Sequence, residues 1–261
     1  MSKLIIIIPY YNDLAGLQKT LLTVIEEIKI DVIVVDDGSE EKIKEQKIKY
    51  NGKIFFKYLQ TNSGVGTALN VGLDYALENK YEFIGRLDCG DLCYKNKFSK
   101  QLKYLYKNQD VKLLGTWARV VDENQKFVYN LKHPTKYNSI KKNMYLNSMF
   151  VHPTVVFRTD ILSETGKYPF KYSRAAQDYA FFFTIINLYK AENYPEILLD
   201  YVMSSTSVSK TKRKLQVYHR IRIIIDNFYF GPIPIYAVIR NLILLIIPVN
   251  ILTFIKSKLY K

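Results

Sequence analysis

The chain has little of what marks secreted, metal-stapled or membrane-spanning proteins. It holds two cysteines, Cys89 and Cys93. Two thiols four positions apart make no disulfide framework, and a reducing compartment is the natural setting. No further ligands stand near them at a spacing suited to structural zinc. Histidine is scarce at three residues, and there is one tryptophan. Low-complexity linkers and internal repeats are missing, so no clean domain boundary shows before about residue 205. Met1-Ser2-Lys3 leads straight into an apolar run, so no signal peptide is expected. With 48% apolar residues the 261-residue chain can build a full core, which excludes disorder.

Acidic residues are few at the C-terminal end. From Lys210 onward there are ten Lys/Arg against one acid, Asp226, which places +9 of the net +14 in the last fifth of the chain. The charge belongs to a tail. The basic residues are interleaved with Ile and Leu and carry no nucleic-acid motif, so nucleic acid is not an expected partner. Within that tail the longest charge-free stretch is residues 241–255, 15 residues, short of the ~20 that span a bilayer. Residues 233–255 therefore read as a segment lying on a membrane surface, with Lys210, Lys212, Arg213 and Lys214 facing anionic lipid. The alternative is a helical pair packed on the catalytic domain or on a second copy, which would make a homodimer.

What is present is an ordered α/β pattern. Residues 4–8 and 32–35 are continuous apolar runs, as in strands buried on both faces. Pro9 should end the first. Asp13 is placed to cap a helix with Leu14, Leu17, Leu21, Ile25 and Ile28 on one side. Residues 54–58 and 81–84 read as further strands, separated by a helix opening after Gly64 and Gly66. A helix is expected near 96–108, a strand at 111–115, and a hairpin within 117–135. Residues 151–157 read as a strand, 178–188 as a helix, and 197–199 as the start of a short last strand. This order implies a mainly parallel sheet with helices on both faces.

Polar clusters follow three of the strands: Tyr10 to Asp13, Asp36 to Ser39, and Arg86 to Asp91. In a parallel sheet they open on one edge, where such folds bind ligands. Asp88 and Asp91 are a pair of hard oxygen donors for Mg²⁺ or Mn²⁺. Asp36-Asp37-Gly38-Ser39 serves equally as a turn or as acceptor for a base N–H or ribose hydroxyl. Paired acids after an early strand also occur in receiver domains, in chains about half this size. The glycines at 64 and 66 lack the spacing of a dinucleotide fingerprint, though their amides could meet phosphate. Asp178 is either a cap or a general base, ionised at neutral pH. His152 is either structural or a third metal ligand.

In combination these motifs resemble the inverting family 2 glycosyltransferases of the GT-A fold. Ile8-Pro9-Tyr10-Tyr11-Asn12-Asp13, Val34-Val35-Asp36-Asp37-Gly38-Ser39, Asn62-x-Gly64 with Asn70, and Arg86-Leu87-Asp88-Cys89-Gly90-Asp91 follow the family's order. So do His152-Pro153-Thr154, Gly166-Lys167-Tyr168 and Gln177-Asp178-Tyr179. The resemblance covers roughly residues 3–200. It implies a catalytic domain over 1–205, with nucleotide-sugar binding in about 1–115 and the acceptor side in 116–205, followed by a basic, apolar helical segment over 206–261.

The resemblance further implies a UDP-sugar held by Pro9, Tyr11, Asp13, Asp37, Asn62, Gly64, Asn70, Arg86 and Asp88. Mn²⁺ or Mg²⁺ would sit on Asp88 and Asp91, with His152 the third candidate, and Asp178 would be the base. The acceptor would be a glycan or lipid-linked sugar of surface polysaccharide synthesis (lipopolysaccharide, O-antigen or capsule), at the inner face of the cytoplasmic membrane. Gly90 departs from the family's acidic motif, which leaves open a nucleotide-sugar binder without catalysis. A membrane-surface scaffold is the third reading.

Overall fold

The computed structural model describes residues 3–173, 175–203 and 212–247. Its element order is β1 (Leu4–Tyr10), α1 (Leu14–Thr23), β2 (Asp31–Asp36), β3 (Ile54–Tyr58), α2 (Val65–Glu78), β4 (Phe83–Arg86), β5 (Leu92–Cys93), α3 (Lys97–Lys107), β6 (Val111–Val121), β7 (Phe127–Leu131), α4 (Tyr137–Asn143), β8 (Val156–Arg158), α5 (Leu162–Thr165), α6 (Gln177–Leu188), β9 (Lys190–Val202), α7 (Arg213–Asp226) and α8 (Pro232–Ile246).

One sheet runs β3-β2-β1-β4-β8-β6-β9-β5, with β7 paired to β6. The first four strands are parallel and β6 is parallel to β9. The pairs β4–β8, β6–β8, β6–β7 and β5–β9 are antiparallel. The sheet is thus mixed, not mainly parallel: its half built from β1 to β4 follows the expected pattern and its far half alternates.

Both sheet faces are covered, and alternate residues of a strand enter different cores, as the pleat requires. Ile5 and Ile7 of β1 join Ile33 and Val35 of β2 against Ala68, Leu69 and Leu73 of α2 and Phe182 of α6. Leu4, Ile6 and Ile8 join Val32 and Val34 against Leu17 and Leu21 of α1 and Phe98 and Leu102 of α3.

Four local expectations change. Pro9 does not end β1, which continues to Tyr10. The ladder with β4 stops at Ile7, so the missing Pro9 N–H falls beyond that pairing. Helix α1 stops at Thr23, leaving Ile25 and Ile28 outside it and exposed. Residues 152–154 form a 3₁₀ turn in place of a long strand, because Pro153 cannot donate and Thr154 Oγ1 closes on Val151 O at 2.7 Å. The last strand is long, 13 residues, as its pairing with β6 continues past three register shifts.

Helices α7 and α8 pack on the domain. Ile223, Ile224 and Ala237 belong to the core cluster that holds Phe183 and Tyr145. Tyr145 Oη donates to Asn227 O at 2.7 Å. Among the described residues no helix is long and apolar enough to cross a membrane. The expected boundary near residue 205 and residues 248–261 of the tail lie outside the described residues.

Candidate active site

The C-terminal ends of β1, β2 and β4 meet at one sheet edge, and side chains tie their loops together. Asn12 N donates to Ser39 Oγ at 2.9 Å, and Glu40 N to Asn12 Oδ1 at 3.0 Å. Asp36 Oδ1 accepts from Ser39 N. Asp37 accepts from two amides, Ser63 N on Oδ1 and Gly64 N on Oδ2, both at 2.8 Å. It thereby fixes the turn that opens α2. Burial raises the Asp37 pKa, while the two amides pull it back. Asp13 caps α1 through Gly16 N at 2.8 Å. Tyr11 and Asn62 are exposed beside these loops, and Pro9 is half-buried at the end of β1.

The acidic loop after β4 is held from α1. Thr20 Oγ1 lies 2.9 Å from Asp91 O, 3.2 Å from Asp88 O, and accepts from Gly90 N at 2.9 Å. Gly90 adopts φ +93°, with open space where a side chain would stand. Asp91 is 2% exposed, and its Oδ1 accepts from Val202 N of β9 at 2.9 Å. Its Oδ2 is buried with no protein partner. Burial and the neighbouring Asp88 charge push its pKa well up. Asp88 keeps its carboxylate half-exposed, 2.5 Å from Nη1 of the buried Arg86.

Two of the predicted residues are committed to main chain or ring contacts. Asn70 grips the backbone of Tyr168, with Nδ2 donating to its carbonyl at 3.0 Å and Oδ1 accepting from its amide at 2.9 Å. His152 Nε2 lies 2.8 Å from Tyr168 Oη, and its ring packs edge-on to Phe182. Burial, and then the nearby Arg86 charge, hold His152 well below its usual pKa, so it is neutral. Among the described residues no three His, Cys, Asp or Glu are grouped to hold a metal ion. The fit to a divalent ion rests on Asp88 and on the orphaned Asp91 Oδ2, two hard oxygens that leave further positions for phosphate and water.

Asp178 is the second residue of α6, a helix opened by Ala176 in the left-handed region (φ 69°). Burial raises the Asp178 pKa, whereas the Tyr179 amide and Arg86 lower it and Asp88 raises it further. The charges at the end of β4 and the start of α6 therefore lie near enough to act on one another.

Sequence reasoning missed Tyr201 of β9. Its phenol is pushed up by burial, then by Asp88 and Asp91, and it also senses Arg86 and Asp178. It missed Thr20 as well, which reads as an ordinary helix residue. Nothing local marks either one; both reach the site through tertiary pairing.

Residues 5–166 match the model of glycosyl transferase family 2, and the chain belongs to that family. An uncharacterised glycosyltransferase of Methanocaldococcus jannaschii, MJ1057, is 31% identical over 238 residues, 85% of this chain and 80% of that one. The amylovoran biosynthesis glycosyltransferase AmsE of Erwinia amylovora is 28% identical over 237 residues, 87% and 86% of the two chains. The crystal structure of S. aureus TarS 1-349 in complex with UDP-GlcNAc has the same fold. It superposes with a TM-score of 0.67 at 18% identity, over 87% of this chain and 67% of that one.

Proposed function

We propose that the protein moves a sugar from a UDP-sugar to an acceptor hydroxyl in surface polysaccharide synthesis, with inversion. The partnerless, buried Asp91 Oδ2 beside the Arg86–Asp88 pair at the end of β4 carries this reading. Pro9, Tyr11, Asp13 and Asp37 line the uridine end. Asp37 also fixes the turn at Asn62 and Gly64 by accepting from the Ser63 and Gly64 amides. Asn70 acts at one remove, by holding Tyr168.

Asp88 and Asp91 would hold Mn²⁺ or Mg²⁺ against the donor diphosphate, with His152 serving as a neutral neighbour of Tyr168. When bound, such an ion stabilises the charge that develops on the departing nucleotide. Arg86 adds a fixed positive charge at the same point. Asp178 takes the proton from the acceptor hydroxyl as its oxygen attacks the anomeric carbon from the face opposite the nucleotide. The C1–O bond to the diphosphate breaks as the new glycosidic bond forms.

Membrane docking at the inner face of the cytoplasmic membrane is part of the proposal. On α8, Ile235, Ile239, Leu242, Ile243 and Ile246 lie on one face and are 47–82% exposed. Lys212 and Lys214 at the start of α7 are exposed and basic. An apolar face with basic flanks suits anionic lipid and a lipid-linked acceptor. The experiment that tests the reading is Asp178→Asn: transfer to an acceptor panel should vanish while UDP binding persists. Loss of neither, or of both in a folded variant, contradicts the assignment of the base.

A further inference from the structure

Helices α7 and α8 bring two arginines to the acceptor side of the cleft, close to the start of α6. His219 Nδ1 lies 2.8 Å from Ala175 O, which seats the neighbouring Arg220 by the first turn of α6, three residues before Asp178. Segment 144–146 is the second fixed point. The Tyr179 hydroxyl donates to Met144 O, Tyr145 Oη donates to Asn227 O at 2.7 Å, and Arg240 Nη1 donates to Leu146 O at 3.0 Å. Arg240 therefore approaches the same corner from α8.

Arg220 is half-buried and makes no hydrogen bond or ion pair among the described residues. Burial lowers its pKa, the Tyr179 phenol raises it, the positive charge of Arg240 lowers it, and Asp178 raises it. The two positive charges thus act against one another, and neither has a carboxylate ion-pair partner among the described residues. An unpaired, partly desolvated charge is costly unless something fills the place. A guanidinium fork fits phosphate oxygens bidentately. A multiply charged anion between the two would relieve the repulsion and satisfy Arg220.

Helix α8 and the loop that leads into it expose apolar side chains, with Phe230 97% exposed and Ile239, next to Arg240 in the chain, 52% exposed. A ligand that pairs an anionic head with a hydrocarbon tail meets both features. We infer that Arg220 and Arg240 form an anion subsite for the diphosphate of a lipid-linked acceptor, placing its sugar hydroxyl at Asp178. This deepens the proposed transferase reading and rests on it for the identity of the acceptor.

Calorimetric titration with farnesyl diphosphate, in saturating UDP and Mn²⁺ to fill the donor side, tests it. The wild type should bind farnesyl diphosphate. Arg220→Gln and Arg240→Gln should each weaken it about tenfold or more. Arg220→Lys should retain much of the affinity, and Lys107→Gln, exposed at the end of α3, should leave it unchanged. Thermal melts of each variant identify any that fail to fold, and Arg220→Lys keeps the test alive if Arg220→Gln does.

Inorganic pyrophosphate should bind more weakly than farnesyl diphosphate; equal affinities would overturn the lipid assignment. Absence of farnesyl diphosphate binding, or equal binding by the folded Gln variants, would overturn the subsite. Failure of the wild type to bind UDP would instead overturn the donor reading. The farnesyl diphosphate titration run without UDP still decides the arginines.

Discussion

Arg86 Nη1 stands 2.5 Å from Asp88 Oδ2, so the strand that delivers the acidic pair also delivers its counter-charge. Arg86 is 3% exposed; burial lowers its pKa, but the charge and hydrogen bond of Asp88, with Tyr168 and Asp91, together leave it raised. The guanidinium is a permanent cation inside the cleft, and it acts on Asp178 as well as on Asp88.

That coupling sets a pH profile. Asp178 works as a base only when ionised, and burial raises its pKa above the ordinary carboxylate value of about 3.9. Activity should therefore rise with pH through a midpoint above that value. Arg86 lowers the Asp178 pKa, so Arg86→Met should move the acid limb to higher pH as well as reduce the rate. A pH–rate profile of kcat/KM for the two proteins checks the direction; a shift to lower pH would contradict it.

Asn70 tests whether a residue that touches main chain alone can govern the site. Asn70→Leu leaves the amide and carbonyl of Tyr168 unpaired in a buried place, at about 1–3 kcal/mol for each group. Denaturant unfolding should show the loss. Because Tyr168 Oη is the partner of His152 Nε2, activity should fall with it.

Gly38 lies where two loops touch. Its φ is +72°, and a Cβ there would stand 2.4 Å from the Thr61 carbonyl carbon and 2.7 Å from Asn62 N. Those atoms are backbone and cannot swing aside. Gly38→Ala should destabilise the fold by about 1–3 kcal/mol. It should also weaken UDP binding, since Asp37 and the turn at Ser63 and Gly64 would be forced apart.

The exposed face of α8 predicts lipid binding. Burying an isoleucine side chain is worth about 1.5–3 kcal/mol. Ile239→Glu with Ile243→Glu should lower affinity for vesicles of anionic phospholipid by about tenfold or more, with the thermal melt unchanged. Co-sedimentation of the wild type and the double variant measures this.

The nucleotide half of the fold was legible because β1, β2 and β4 are buried on both faces and their apolar runs are unbroken. The loops at their ends could be placed at one edge from parallel order alone. The far half was not, since β9 exists as a long strand through its pairing with β6, which sequence spacing does not encode. The same holds within the site. Asp91 was visible, but its partner Val202 lies 111 residues away and its clamp Thr20 lies 71 residues away. Asp37 and Asn70 were found as site residues by resemblance, whereas their hydrogen bonds show them shaping the main chain around the cleft. Arg220 was counted as tail charge, and only the docking of α7 on Ala175 brings it near Asp178.

The central claim is a UDP-sugar site whose diphosphate end is built on Asp88 and Asp91. Isothermal titration with UDP, with and without Mn²⁺, tests it most directly in the wild type and in Asp88→Ala. The account predicts binding that requires or is strongly enhanced by Mn²⁺, weakened about tenfold or more in Asp88→Ala. Absence of UDP binding under both conditions, or equal Mn²⁺-supported binding by the folded Asp88→Ala protein, would contradict it.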